Sequence, residues 1–293
     1  MTTIPRKSSG SQAAWVLGFP LVMGIIAAVV MFTPVRGLIS QTAKPSAPSP
    51  SSGRVASVYT NAIEGKVLYQ KPLDRVPEEP LLLRLTELEM EPGARIFEHR
   101  QLGPGVHLVR RGAITITDSA SQQAETYQSG QVYLEGMDPL HEAANPGSMA
   151  NQVLMADLVP QVRGFDGNQA FTDRGKHNEG EVRSGPYVQY KLTNLPDGPL
   201  LMRVTEIQFG PKSKTVEHTR AGPVLFRVEQ GGLTIRKDAS LHMMTYGTDG
   251  YFFDPGTEPL ILENKPPSPM RVLMFEVLPA SIGDGHSTRI TGN

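Results

Sequence analysis

The chain has 293 residues, with 28 Lys and Arg against 29 Asp and Glu, a formal net charge of -1 at pH 7. That balance excludes a general nucleic-acid binder, which carries a basic excess. There is no cysteine, so a disulfide framework, a thiolate metal site and a cysteine nucleophile are excluded as well.

Residues 1–12 form a short tail that holds Arg6 and Lys7. From Ser8 to Val35 no residue is charged, and Ala13 to Phe32 is an apolar run of 20 residues. A helix rising 1.5 Å per residue would span roughly 30 Å over that run, the thickness of a bilayer's hydrocarbon core. A cleaved signal peptide has a shorter apolar region and a small-x-small cleavage site. The run is therefore read as an uncleaved transmembrane helix over 13–35, with Trp15 near one end as an interfacial anchor. The basic residues ahead of it predict a single-pass topology, with the N-terminus in the cytoplasm and the bulk of the protein outside. Residues 36–56, including QTAKPSAPSPSSG at 41–53, read as a Ser/Pro-rich, solvated tether.

The remainder carries an internal repeat. Shifted by 119 residues, Pro80–Pro160 aligns without a gap on Pro199–Pro279 with 24 identities over 81 positions, a register that no low-complexity bias could hold. LLLRLTEL at 81–88 meets LLMRVTEI at 200–207. Glu98-His99 meets Glu217-His218, and Asn145 meets Asn264. The reading is two copies of one domain, at 57–160 and 187–280. A polar, Gly-rich linker at 161–186 joins them, and a tail follows at 281–293. Within each copy, short runs rich in Val, Ile, Leu and Phe are bounded by Gly and Pro, which is a β pattern. Many such strands make a sandwich or a small barrel, and periodicity does not choose between them.

The residues that build these turns carry a resemblance. Gly93, His99 and Gly112 fit a glycine, His-x-His, Glu, glycine motif, and Gly130, His141 and Asn145 fit a second, glycine, Pro-x-Gly, His, Asn motif. Each copy resembles a cupin domain. The implied fold class is all-β: two tandem cupin-like jelly-roll β-barrels preceded by one transmembrane helix. The departures fall on the metal set of the family. Gln101 stands for the second His, Gly105 or Val106 for the Glu, and Gly136 and Asp138 for the Pro and Gly. In the second copy only His218 remains of that set. Arg220, Val224 and Leu260 stand for the others, while Gly231, Pro255 and Asn264 keep the turn positions.

Side chains two apart on a strand share a face. The resemblance implies that His99, position 105 and His141 point into the barrel, so Gln101 and His107 are expected to face the same interior in the first copy. His99, His141 and His107 are candidate ligands there for a divalent metal, such as zinc, iron, copper or nickel. In the second copy His218 and Arg220 face the interior, with Arg220 expected to pair with Glu217 or another acid, or with a carboxylate ligand. Phe226 and Leu260 replace His107 and His141, so that interior is expected to be the more apolar. Glu98 and Glu217 fall on the opposite face, and His242 and His286 lie in loop-like or tail segments.

Two functions follow. The first is a membrane-anchored, extracytoplasmic bicupin that binds a small ligand or a protein, with no intact metal site and no cofactor. The alternative is a cupin metalloenzyme of oxygenase or isomerase type, with His99, His141 and either His107 or Gln101 as its reduced site in the first copy. No phosphate-binding loop, nucleophile elbow or metal-binding helix motif occurs. Nucleic acid is not an expected partner, since no strip interleaves basic and aromatic residues.

Overall fold

The computed structural model describes residues 62–161, 178–237, 243–285 and 288–290, with the side chains at 186, 187 and 288–290 left aside. The first copy forms β1 (Ile63–Pro72), β2 (Leu81–Met90), β3 (Arg95–His99), β4 (Gly105–Arg111) and β5 (Ala113–Asp118). It continues with β6 (Ala124–Gln128), β7 (Val132–Glu135), β8 (His141–Ala144) and β9 (Asn151–Pro160). A two-residue strand, β10 (Asn178–Glu179), precedes the second copy. That copy forms β11 (Val182–Leu192), β12 (Leu200–Phe209), β13 (His218–Arg220), β14 (Val224–Gln230) and β15 (Gly232–Lys237). Then come β16 (Met243–Gly247), β17 (Tyr251–Asp254), β18 (Leu260–Glu263), β19 (Met270–Pro279) and β20 (Thr288–Ile290). The pairs β2/β12, β4/β14, β5/β15, β6/β16, β7/β17, β8/β18 and β9/β19 match at both ends under the 119-residue shift. The repeat is thus a repeat of structure. β10 and the first residues of β11 fall within the stretch at 161–186.

Each copy contributes two five-stranded sheets. One sheet of the first copy runs β11-β2-β9-β4-β7 and the other β10-β3-β8-β5-β6. In the second copy the orders are β1-β12-β19-β14-β17 and β16-β15-β18-β13-β20. All paired strands are antiparallel, from β1–β12 through β5–β8, as expected of a jelly roll. The first strand of each copy is built into the other copy's sheet: β1 pairs with β12, and β11 with β2. Ile63 of the first copy consequently belongs to the interior cluster of the second.

Alternation along these strands sends one set of side chains into each barrel and the other set between the barrels. Val106 and Leu108 of β4 pack in the cluster between copies, whereas His107 and Val109 point inward. The inter-barrel cluster uses the same repeat positions twice: Leu83 with Met202, Leu85 with Val204, and Ala156 with Phe275. Beside it Arg110 donates to Glu229 at 2.8 Å. These two residues also occupy one repeat position, where two identical side chains would have repelled each other. The β4–β5 turn is made by Gly112 at φ 71° and its equivalent Gly231 at φ 87°, a conformation that suits a residue without Cβ.

Among the described residues no helix is long and apolar enough to cross a membrane. The span expected at 13–35 lies outside the described residues, as do His242 and His286. The exchanged strands and the shared core couple the barrels. Leu83→Ala, which empties a fully buried inter-barrel position, is expected to cost about 2–5 kcal/mol. Calorimetry should show one transition moving as a whole. Two transitions, only one of them shifted, would contradict the coupling.

Candidate functional site

β3 and β8 bring the first two histidines together. Register pairs His99 with His141 across the strands, and their rings lie 4.4 Å apart, edge to face. His99 Nδ1 faces the Phe97 carbonyl at 2.8 Å and His141 Nδ1 the Pro139 carbonyl at 3.1 Å. A carbonyl only accepts, so each Nδ1 carries its proton and donates. The second copy repeats this local geometry, with His218 Nδ1 donating to the Val216 carbonyl at 2.8 Å.

β4, β7 and β9 supply the rest. His107 Nε2 lies 3.0 Å from Asp157 Oδ1, and its Nδ1 lies 3.6 Å from Glu135 Oε2. The same Glu135 oxygen accepts the Gln101 amide at 2.6 Å and stands 3.3 Å from His141 Nε2. Arg84 Nη2 donates to the other Asp157 oxygen at 2.9 Å. All four sequence-derived residues of this copy, His99, Gln101, His107 and His141, are therefore joined directly or through Glu135. Glu135 and Asp157 were not singled out from the sequence. The signal was present: position 135 is acidic in both copies, as Glu135 and Asp254, and so is position 157, as Asp157 and Glu276.

The charges are mutually dependent. Burial works against the charged form of Glu135, but His107 and His141 outweigh it and hold the carboxyl down at about 2. Burial likewise opposes the charged form of His107, yet Glu135 and Asp157 raise its pKa. The His141 pKa is raised by Glu135 against the same burial. His99 moves the other way, lowered by burial and by His141. Asp157 is kept low, despite burial, by Arg84 and His107.

Gly105 is what lets this cluster form. A Cβ on it would meet Asp157 Oδ1 at 2.2 Å and His107 Nε2 at 2.7 Å. Of the two positions that the resemblance assigns to a metal-binding Glu, Val106 packs between the barrels and Gly105 is bare, with the space beside it filled by the His107–Asp157 pair. Against burial, Glu135 and Asp157 on either side of His107 favour its protonated form, and that form has no lone pair for a metal. These residues do not match the donor set of the motif.

The second copy builds its interior differently at the same positions. Arg220 Nε lies 3.6 Å from Asp254 Oδ2, and its Nη1 lies 3.9 Å from Glu276 Oε1. Its Nη2 is 3.3 Å from His218 Nε2, and its guanidinium carbon is 4.8 Å from the centre of the Phe226 ring. Burial and Arg220 together hold His218 down at about 4. Burial raises Asp254, with Arg220 opposing. The acids that meet Arg220 are Asp254 and Glu276. Phe226 and Leu260 are fully buried where the first copy has His107 and His141, and Asp254 and Glu276 are buried beside them, as Glu135 and Asp157 are in the first copy. Val224 stands where the first copy has Gly105, and fills the room that His107 and Asp157 use there.

No family model matches the chain, and no curated protein matches it. Solved structures do. An oxalate decarboxylase variant from Bacillus subtilis matches with TM-score 0.50 and 11% identity, over 83% of this chain and 78% of that one. The fold is a bicupin fold. The chain is also similar to vicilin from Corylus avellana (hazelnut), with TM-score 0.46 and 14% identity over 76% and 83% of the two chains. AerE from Microcystis aeruginosa matches with TM-score 0.45 and 12% identity, over 72% and 98%.

Two outcomes test the first-copy cluster. The Glu135 pKa is depressed from 4.5 to about 2. Its stabilisation is fully present above pH 4.5, on the order of 3 kcal/mol by linkage, and is lost as pH falls toward 2. The stability gap between wild type and Glu135→Gln, measured by urea denaturation, should therefore close over that window. A gap that is constant with pH would contradict the assignment. Gly105→Val should destabilise by more than about 1–3 kcal/mol, since overpacking here also breaks a buried charge pair. An unchanged urea midpoint would show that the space beside Gly105 is not needed.

Proposed function

We propose that this bicupin is a binding module whose ligand site lies in the first barrel, where the partly exposed His99 and Gln101 stand over Glu135 and His141. The observation that carries this reading is the bare position at Gly105. The space a metal-binding carboxylate would need is filled by a pair of the protein's own charges. Such an interior offers an array of oriented donors and acceptors rather than a Lewis acid. The ligand class it favours is a small polar molecule that exchanges hydrogen bonds with an imidazole and an amide. In the second barrel the equivalent His218 and Arg220 are 0% and 5% exposed, which favours the first as the site.

The proposal includes the anchor. The uncharged run and the basic residues ahead of it support a single-pass helix at 13–35, with both barrels held outside the cytoplasm by a Ser/Pro-rich tether. The barrels would then meet ligands of the extracytoplasmic space.

A thermal-shift screen of sugars, polyols and small carboxylic acids against the full chain in detergent tests the reading. At least one class is expected to raise the melting temperature of wild type and to lose that effect in Gln101→Ala. A protein that purifies with a stoichiometric transition metal, and turns over a substrate that chelation then stops, would overturn it.

A further inference from the structure

Both copies keep two acids inside the barrel. Glu135 and Asp254 share one repeat position, Asp157 and Glu276 the other, and all four are buried, with exposures of 8%, 0%, 1% and 0%. Glu and Asp have traded places between the copies while the charge has stayed. The cation facing them has changed strand. In the first copy the cation that bridges both acids is His107 on β4, set between Asp157 at 3.0 Å and Glu135 at 3.6 Å, with Arg84 on the other oxygen of Asp157 at 2.9 Å. In the second, that position is Phe226, and the cation comes from β13 as Arg220, at 3.6 Å from Asp254 and 3.9 Å from Glu276. Phe226 then becomes the ring under the guanidinium. Gln101, the first-copy equivalent of Arg220, is neutral and still reaches for the same acid, donating to Glu135.

We infer that each barrel carries its own side-chain counter-ion, His107 in the first and Arg220 in the second, and that this internal cation holds together a pair of acids both barrels retain. The two cations are alternative solutions to one electrostatic requirement. They reach the same acids from opposite sheets: His107 stands on the acids' own sheet, whereas Arg220 comes from the facing one and so ties the two sheets of its barrel to one another. The barrels accordingly need no added ion to close. Arg220 is a positioning residue in this account, acting through Asp254 and Glu276. This inference concerns cohesion of the barrels and stands apart from whether the first one binds a ligand.

A double-mutant cycle on the full chain tests it. Arg220→Met keeps bulk and removes charge, leaving two unpaired buried acids. It should lower the melting temperature by roughly 6 °C or more. Arg220→Lys, which keeps the charge, should lose less. Adding Glu276→Gln to Arg220→Met should recover part of the loss, although Glu276→Gln alone lowers the wild-type value, a coupling only interacting residues show. A chelator should leave the wild-type melting temperature unchanged. Strictly additive effects, or a wild-type melting temperature that falls on chelation, would overturn the inference. If Arg220→Met does not accumulate as folded protein, the same cycle is read with Arg220→Lys and Asp254→Asn, where additivity is again the contrary result.

Discussion

A carboxylate taken out of water costs several kcal/mol unless a cation and hydrogen bonds meet it, and among the described residues four are buried, two in each barrel. The arrangement of the interiors follows from that constraint. Asp157 is met by Arg84 and His107, and Glu135 by Gln101, His107 and His141. Asp254 is met by Arg220 and by the Gly256 amide at 2.9 Å, and Glu276 by Arg220 and by the Thr205 hydroxyl at 2.9 Å. Gly105 and Val224 show how local sequence serves the same end. Where His107 is the cation, the neighbouring position on β4 must be bare. Where Arg220 enters from the other sheet, that position can be filled.

The barrels differ in character for the same reason. Imidazoles change protonation near neutrality, and a guanidinium does not. The first barrel therefore has an interior whose hydrogen-bonding character responds to its surroundings, and side chains that reach solvent at His99 and Gln101. The second has a fixed charge, an aromatic ring beneath it, and a C-terminal strand, β20, paired along β13 at His218–Arg220. Arg203 marks the same divergence. Its equivalent Arg84 turns to an internal acid, whereas Arg203 donates to Gln70 of the exchanged strand β1 and to the Gly283 and Gly285 carbonyls. His218 and Arg220 are buried in the second barrel, while His99 and Gln101 stay partly exposed in the first.

Much of the fold was legible because the duplication writes each strand twice. LLLRLTEL and LLMRVTEI fixed a register that the structure repeats strand for strand. The resemblance implied an inward His99 and His141, and period-2 alternation added Gln101 and His107 to the same interior. The exchange of β1 and β11 was not legible, because sequence spacing does not say which of two equivalent sheets a strand joins. The buried acids were missed for a different reason. An isolated Glu or Asp on a short strand reads as a solvent-facing residue, and only the comparison of 135 with 254 and of 157 with 276 separates these from surface acids. Arg220 was seen to face inward, but its partners lie far away in sequence, on β17 and β19.

The side-chain cation inferred to stand between the acids of each barrel can be observed directly at His107. Nitrogen-15 NMR of the imidazole rings at pH 6.5, where a free histidine is half protonated, reads both ring nitrogens, with the His107 signals assigned by their loss in His107→Gln. The account predicts that His107 is predominantly doubly protonated at that pH, and His218 neutral with its proton on Nδ1. A neutral His107 carrying a single ring proton would leave no cation between Glu135 and Asp157, with Arg84 meeting Asp157 from its other side, and would contradict that reading.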